Sequence, residues 1–368
     1  MMFSNPIRQG LKALKGKLMA TETVKESRHA EEVVAFTAGD GFECNLIHVR
    51  GEKAPSRGPV ILVHGAGVRA NLFRAPVRTT IVDALIDHGY DVWLENWRAS
   101  IDLPANEWTL DKAAVYDHPA AIKKIVAETG SEEVKAVIHC QGSTSFMMSA
   151  VAGLLPQVKT IVANAVTLHP VVPKFSEVKL NVAVPLMSLV TDYLNPQWGL
   201  HAPTLTAKAV NLLVRATHHE CKNLVCKQVS FTYGTGFPAL WLHENINNDT
   251  HEWLKQEFAS VPLTFFKQMA RCVRKGNLVS VDGYKELPAD FCAQPPQTDA
   301  RFVLTAGAKN LCFLPRSQEK TFDWLEQQRK NFHSLHVFPT YGHLDVFMGK
   351  DAAKDTFPVI LAALDGPT

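Results

Sequence analysis

The stretch Val134 to Phe146 reads VKAVIHCQGSTSF, and the reading of the whole chain turns on it. Val134, Ala136, Val137 and Ile138 form an apolar, β-branched run of the length of a buried strand. The run stops abruptly at His139-Cys140-Gln141-Gly142, after which small and apolar residues resume. Strand, sharp turn and helix are therefore expected, with Cys140 in the turn.

Working outward, the chain keeps an α/β rhythm on both sides of this junction. Upstream, Glu32 to Thr37 and Phe42 to Val49 alternate apolar and polar residues around Gly39-Asp40-Gly41, the pattern of a hairpin. Pro59 to Val63 is the next strand and runs into His64-Gly65-Ala66-Gly67; Thr79 to His88 is a helix stopped by Gly89, and Tyr90 to Leu94 a strand. Ala113 to Thr129 fits a helix kinked at Pro119 and ended by Gly130. Downstream come a helix to about Leu155 and a strand from Lys159 to Ala165. Later, Arg301 to Thr305 is a strand, Ser317 to Gln328 a helix, Ser334 to Phe338 the last strand and Ala352 to Leu364 the closing helix. This is the order of a mostly parallel sheet, with the Cys140 turn at the carboxyl end of a strand, where ligands gather.

Between these halves the rhythm breaks. Residues 167–296 are rich in Pro, Trp and Phe and carry helical stretches at Leu205 to Ala216 and Trp253 to Lys275. They read as an inserted cap over a core made of residues 31–166 and 297–368. Within the cap, His218-His219-x-Cys221-x₄-Cys226 does not follow a standard zinc spacing. These residues are read as core positions near a helix end, His251 as a packing or capping residue, and neither a metal nor a cofactor is expected.

Composition narrows the class. A chain of 368 residues, 46% hydrophobic, can build a substantial core, and a net charge of +2 spread along its length offers no footprint for nucleic acid. Seven scattered cysteines (Cys44, Cys140, Cys221, Cys226, Cys272, Cys292, Cys312) do not make a disulfide framework, which points to a reducing, cytoplasmic home. No run reaches the roughly 18 apolar residues of a bilayer span, and a secretory leader is not evident. Residues 1–30 form a basic arm in which Arg8, Lys12, Lys15 and Lys17 stand among Ile7, Leu11, Leu14 and Leu18. Such an arm packs on the body or, as an amphipathic helix, touches anionic lipid.

The ordered motifs VHGAG (63–67), VWLENWRAS (92–100), EWTLDKAAVYDHPAAI (107–122), VIHCQGST (137–144) and YGHLDVFMG (341–349) resemble one family. They are similar to the acid lipase and cholesteryl esterase branch of the α/β-hydrolases. They are closer still to hydrolase-like modules fused to bacterial cholesterol-oxidase-type flavin oxidoreductases. The resemblance covers about residues 30–365. It implies an eight-stranded α/β-hydrolase sheet, acyl-transfer chemistry and an oxidoreductase as a candidate partner. In its nucleophile elbow, G-x-S-x-G, Cys140 takes the serine position, Gly142 the second glycine and Ile138 the first. Ile138 is a misfit, because that glycine relieves crowding beneath the elbow.

The same resemblance assigns the other parts. Backbone N–H groups of Ala66 and Gln141 would form the oxyanion hole, His343 the histidine, and Asn310 the acid position in the frame Gly307 to Asn310. The order Cys140, Asn310, His343 is that of the fold, with two members exchanged. The exchanges suit each other: a cysteine at a helix N-terminus beside a histidine can exist as thiolate, and the histidine then needs an amide oxygen for orientation more than a charge. Asp345, two residues from His343, is the alternative partner or a tie within its own loop. His64, Gly65 and His139 are expected to support or line the pocket, and Trp97 and Arg98 to shape it or clamp a loop.

The expected activity is cysteine-dependent hydrolysis of an apolar ester, thioester or lactone through an acyl-Cys140 intermediate. Two alternatives stand beside it. A Cys elbow also resembles bacterial polyester synthases, which transfer acyl groups from thioesters, and the fold can serve as a non-catalytic binding module of an oxidoreductase.

Overall fold

The alternating residues around Gly39-Asp40-Gly41 pair as an antiparallel hairpin, β1 (Ala30–Thr37) with β2 (Glu43–Arg50). In the computed structural model, which describes residues 28–236 and 238–366, this hairpin is one end of an eight-stranded sheet. The other strands are β3 (Pro59–Val63), β4 (Asp91–Asn96), β5 (Val134–His139), β6 (Val158–Asn164), β9 (Arg301–Gly307) and β10 (Ser334–Phe338). Two short strands, β7 (Tyr193–Leu194) and β8 (Val261–Pro262), pair separately. The sheet order is β1-β2-β4-β3-β5-β6-β9-β10, parallel from β4 onward. The N-terminal basic segment, residues 1–27, lies outside the described residues.

The middle strands are apolar on both faces because helices cover both. Val60 and Leu62 of β3 pack with Ile81 and Leu85 of α1 (Ile81–Asp87), while Ile61 and Val63 face the opposite cluster with Ala121 and Ile125 of α2 (His118–Thr129). Thr80 caps α1 through a reciprocal box with Asp83. Helix α2 is preceded without a break by a π-type turn at Ala113–Asp117, and the expected kink residue Pro119 sits in the first turn of α2, where a missing N–H is tolerated. Helix α3 (Cys140–Val151) follows β5 directly and is buried along its whole length.

Between β6 and β9 the chain leaves the sheet and winds through α4 (Leu205–Thr217), α5 (Leu224–Tyr233) and α6 (Leu263–Lys275). The continuous helix expected from Trp253 to Lys275 is divided. Pro262 lies in β8, and α6 starts after it, because the residue before a proline is driven out of the helical region. The closing helix is likewise split, into Ala352–Asp355 and α8 (Phe357–Asp365), with Pro358 in the first turn of the second piece; α7 (Arg316–Gln328) precedes them. No helix among the described residues is long and apolar enough to cross a membrane.

Candidate active site

The junction of β5 and α3 has no intervening loop, and Cys140 makes the whole turn with a φ of +55°. A non-glycine residue in the left-handed region stores roughly 1–3 kcal/mol unless its surroundings impose it. The surroundings do so by close packing of backbone on backbone. A Cβ at Gly142 would stand 2.2 Å from the carbonyl oxygen of His64, and one at Gly65 would stand 2.9 Å from Cβ of Cys140. The two segments therefore interlock only as glycines.

Ile138 has a small residue beside it. It lies in register with Val63 on β3 and with Ala163 on β6, and packs in the cluster that holds Phe146 and Met147. The small Ala163 is the space that the motif's usual glycine would have left.

Three predicted residues meet at this turn. The donor atoms of His139, Cys140 and His343 lie within 4.8 Å of one another, and Asn310 reaches Nδ1 of His343 at 3.0 Å. Burial pushes the Cys140 thiol up, but Cys312 as hydrogen-bond donor, the His343 ring and the Gln141 N–H together hold it well below the ordinary thiol range. The Cys312 thiol moves the other way, raised by its bond to Cys140 and by burial. Sequence reading missed Cys312, although it stands only two residues from Asn310.

The contact between Asn310 and His343 differs from expectation. The amide oxygen of Asn310 accepts the backbone N–H groups of Cys312 at 2.9 Å and Phe313 at 3.1 Å, so the NH₂ faces the imidazole. Turning the amide over would set that NH₂ against two N–H donors. Nδ1 of His343 is thus an acceptor, and the neutral ring carries its proton on Nε2, a buried atom without a hydrogen-bond partner among the described residues. His139 has the opposite arrangement. Its Nδ1 donates to Oδ1 of Asn164 at 2.9 Å, whose NH₂ is engaged by Thr305, and its buried Nε2 is without a partner among the described residues. Burial and the adjacent His343 hold the His139 ring well below the usual imidazole range.

No protein-family model matches the chain. Human lipase member K is 23% identical over 356 residues, which cover 89% of this chain and 86% of that protein. Sterol esterase 2 of Saccharomyces cerevisiae is 27% identical over 157 residues, 36% of this chain and only 29% of that protein. Among solved structures, a thermophilic esterase from Thermogutta terrifontis superposes with a TM-score of 0.52 at 12% identity, over 91% of this chain and 97% of that one. The chain has the α/β-hydrolase fold, and its sequence is similar to lipases and esterases.

In this fold the remaining predicted residues are supports. His64 is wholly buried beneath the 64–67 loop, with Nδ1 2.7 Å from the Gly65 carbonyl, and burial pulls its pKa down to about 3. Trp97 donates to the His64 carbonyl at 3.0 Å, so it clamps that loop and does not line a pocket. Arg98 turns away altogether: it pairs bidentately with buried Asp117 and with Asp40 beside the β1–β2 hairpin. Asp345 accepts the Gly342 N–H at 2.8 Å and the Asn245 NH₂ at 2.6 Å, a tie within and beyond its own loop. It does not take the place of Asn310.

A second serine–histidine–carboxylate set lies directly below. His118 Nδ1 is 3.0 Å from Glu95 and Nε2 is 2.8 Å from Ser145 Oγ, which also bonds the Gln141 carbonyl. All three side chains are sealed from solvent, so the set braces the elbow from beneath. Above the elbow opens an apolar pocket walled by Met187, Phe231, Phe265, Phe266 and Met269, with Cys140 at its floor. Tyr233 borders this pocket too, and its buried hydroxyl has no partner among the described residues. That hydroxyl lies where a Cβ on Gly67 would be only 2.2 Å away, beside the loop that carries Ala66. The segment Lys174–Met187 faces the pocket with Lys179, Leu180 and Met187 and exposes Phe175, Val178, Val182 and Leu186 to solvent.

Proposed function

We propose that this hydrolase cleaves an activated acyl substrate, a thioester or an ester with a good leaving group, through an acyl-Cys140 intermediate. The observation that carries the reading is Cys140 itself. It is strained at an elbow, held below the ordinary thiol range, and set at the floor of an apolar pocket. A thiolate at a helix N-terminus is a standing nucleophile and needs no base to generate it. Its sulfur forms a bond to the acyl carbon, and the leaving group departs with the electron pair of the bond that breaks. The Ala66 and Gln141 N–H groups receive the oxyanion, where each donor is worth roughly 3–4 kcal/mol.

The leaving group follows from His343. With Nδ1 occupied by the Asn310 NH₂, the ring cannot become an imidazolium without breaking that bond. A thiolate or phenolate leaves without a proton; a simple alkoxide does not. Apolar acyl groups suit the pocket walls and the exposed apolar face of the cap. The similarity to human lipase member K and yeast sterol esterase 2, a lipase and an esterase by name, supports an ester-type substrate.

Transfer to a second acceptor is the alternative fate of the acyl group, favoured by the lack of a free lone pair on Nε2 of His343 to activate water. The test is intact-protein mass spectrometry after brief exposure to aryl esters and acyl-CoA thioesters, wild type beside Cys140→Ala. An adduct on the wild type alone is expected, decaying slowly in buffer. An equal adduct on both proteins, or turnover unimpaired in Cys140→Ala, defeats the assignment. Acceleration of the decay by added alcohols or amines distinguishes transfer from hydrolysis.

A further inference from the structure

Cys221 and Cys226, read from sequence as ordinary core positions, come together with two histidines that sequence alone does not associate with them. Sγ of Cys221 is 3.8 Å from Nε2 of His251, and Sγ of Cys226 is 3.5 Å from Nε2 of His243. The donor atoms of all four lie within 4.8 Å of one another. His218 and His219 are not part of the group; their rings engage Thr217 and the Ala216 carbonyl instead.

We propose that Cys221, Cys226, His243 and His251 form a structural Cys₂His₂ site for a tetrahedral divalent cation of the zinc type. The geometry is the argument. With Zn–S near 2.3 Å and Zn–N near 2.0–2.1 Å, a tetrahedron has S···N edges of about 3.6 Å. The two S···N separations, 3.5 and 3.8 Å, lie within about 0.2 Å of that edge. Two thiolates and two imidazoles in this shape are the donor set that selects zinc over magnesium, calcium or manganese. The ligands come from four local structures: the turn before α5, the first turn of α5, the 3₁₀ turn His243–Asn245 and the helix Asn248–Trp253.

The outer shell is also in place. Asn223 caps α5 by accepting the Val225 and Cys226 N–H groups, and its NH₂ donates to the His251 carbonyl at 2.7 Å. One side chain thus fixes a cysteine ligand and a histidine ligand relative to each other, as supporting residues of metal sites do. The two carboxylate oxygens of Glu220, next in sequence to Cys221, are buried without a hydrogen-bond partner among the described residues. The residue is half-buried, and the attraction of Lys227 and His243 offsets part of the cost; a dication bound at the site would offset more.

The site bears on the active site through Asn245, two residues beyond His243. Its NH₂ donates to Asp345 Oδ2 at 2.6 Å and to the Thr340 carbonyl at 2.8 Å, and its carbonyl accepts the Lys350 N–H at 2.8 Å. The proposed metal therefore anchors the cap to the loop that carries His343.

The experiment is metal analysis of the full chain purified without chelators from zinc-supplemented culture, followed by cobalt substitution. One zinc per chain is expected, with thiolate-to-Co(II) charge-transfer absorption and tetrahedral visible bands in the cobalt form. Cys221→Ser combined with His251→Gln should lose the metal and lower the melting temperature, while Cys140→Ala keeps one equivalent. Should the double variant fail to fold, the cobalt spectrum of the wild type decides by itself. Folded wild type without zinc and without the cobalt bands overturns the site. So does a mass two hydrogens short that marks a Cys221–Cys226 disulfide, or metal that is lost on Cys140→Ala instead.

Discussion

Asn310 presents its NH₂, not its carbonyl, to Nδ1 of His343, because two backbone N–H groups already hold the carbonyl. That one contact fixes which nitrogen of the ring bears the proton. In a Ser-His-Asp arrangement the carboxylate accepts from Nδ1–H and leaves Nε2 free as a base. Here the polarity is reversed, which suits a nucleophile already deprotonated and a leaving group that needs no acid.

Asn310→Asp should restore the ordinary polarity. One carboxylate oxygen can keep the Cys312 and Phe313 N–H groups, and the other then requires a proton on Nδ1. We expect kcat/KM for a simple alkyl ester to rise at least tenfold, about 1.4 kcal/mol of barrier. Turnover of an acyl thioester should change far less. The ratio of the two, measured on the same preparation, is the readout; an unchanged ratio means that the amide does not govern the tautomer.

Cys140 should react as a thiolate at a pH where an ordinary thiol, near 8.5, is protonated. Its alkylation by iodoacetamide should therefore persist below neutrality. Cys312→Ala deletes the S–H donor while leaving Gln141 and His343 in place. A hydrogen bond to a charged group is worth roughly 1.5–3 kcal/mol, so the midpoint of the pH–rate profile for alkylation of Cys140 should move up by about one to two pH units. A pH–rate profile that Cys312→Ala leaves unmoved would remove Cys312 from the site.

Much of this was legible in the chain, and the limits have physical causes. The parallel strands announce themselves because burial on both faces makes them uniformly apolar, as in β3 and β5. Cys140, His343 and Asn310 are found together because the turn, the loop after β9 and the loop after β10 each carry recognisable local sequence. Amide orientation is different in kind. Whether Asn310 offers oxygen or nitrogen depends on two N–H groups of the residues following it, which no spacing rule encodes. The Cys₂His₂ cluster is hidden for a related reason: His243 lies 17 residues beyond Cys226, and only the fold of the cap returns it to the cysteines. Arg98, expected to shape the pocket or clamp a loop, pairs with Asp117 and with Asp40 in the turn between β1 and β2, so it is the clamp that the structure shows.

Acid should destabilise the fold from the histidine range downward. His64, with a folded pKa of about 3, and an unfolded imidazole near 6.5 are both neutral above 6.5. Below that, the unfolded chain takes up a proton that the native one refuses, so stability falls as pH drops toward 3. The slope from His64 alone is up to about 1.4 kcal/mol per pH unit, and buried His139 acts in the same direction. Glu95 and Asp345, raised by burial, oppose it at lower pH. Urea midpoints between pH 6.5 and 5 should decline in the wild type and decline less steeply in His64→Gln. Equal slopes for the two proteins would show that His64 is protonated in the native state.

Tyr233 offers the sharpest separation of activity from stability. Its hydroxyl is buried, unpartnered among the described residues, and adjacent to Gly67 in the loop that carries Ala66. An orphaned buried hydroxyl costs the fold roughly 1–3 kcal/mol. The position makes sense if the hydroxyl meets its partner only when an oxyanion forms. Tyr233→Phe should then leave the fold as stable as the wild type or more so, while lowering kcat at least tenfold with little change in KM. That is the pattern of an interaction made only in the transition state. Thermal melting and steady-state kinetics on the same variant decide it. A variant that melts higher and turns over at the wild-type rate would make Tyr233 a packing residue and leave the oxyanion to Ala66 and Gln141 alone.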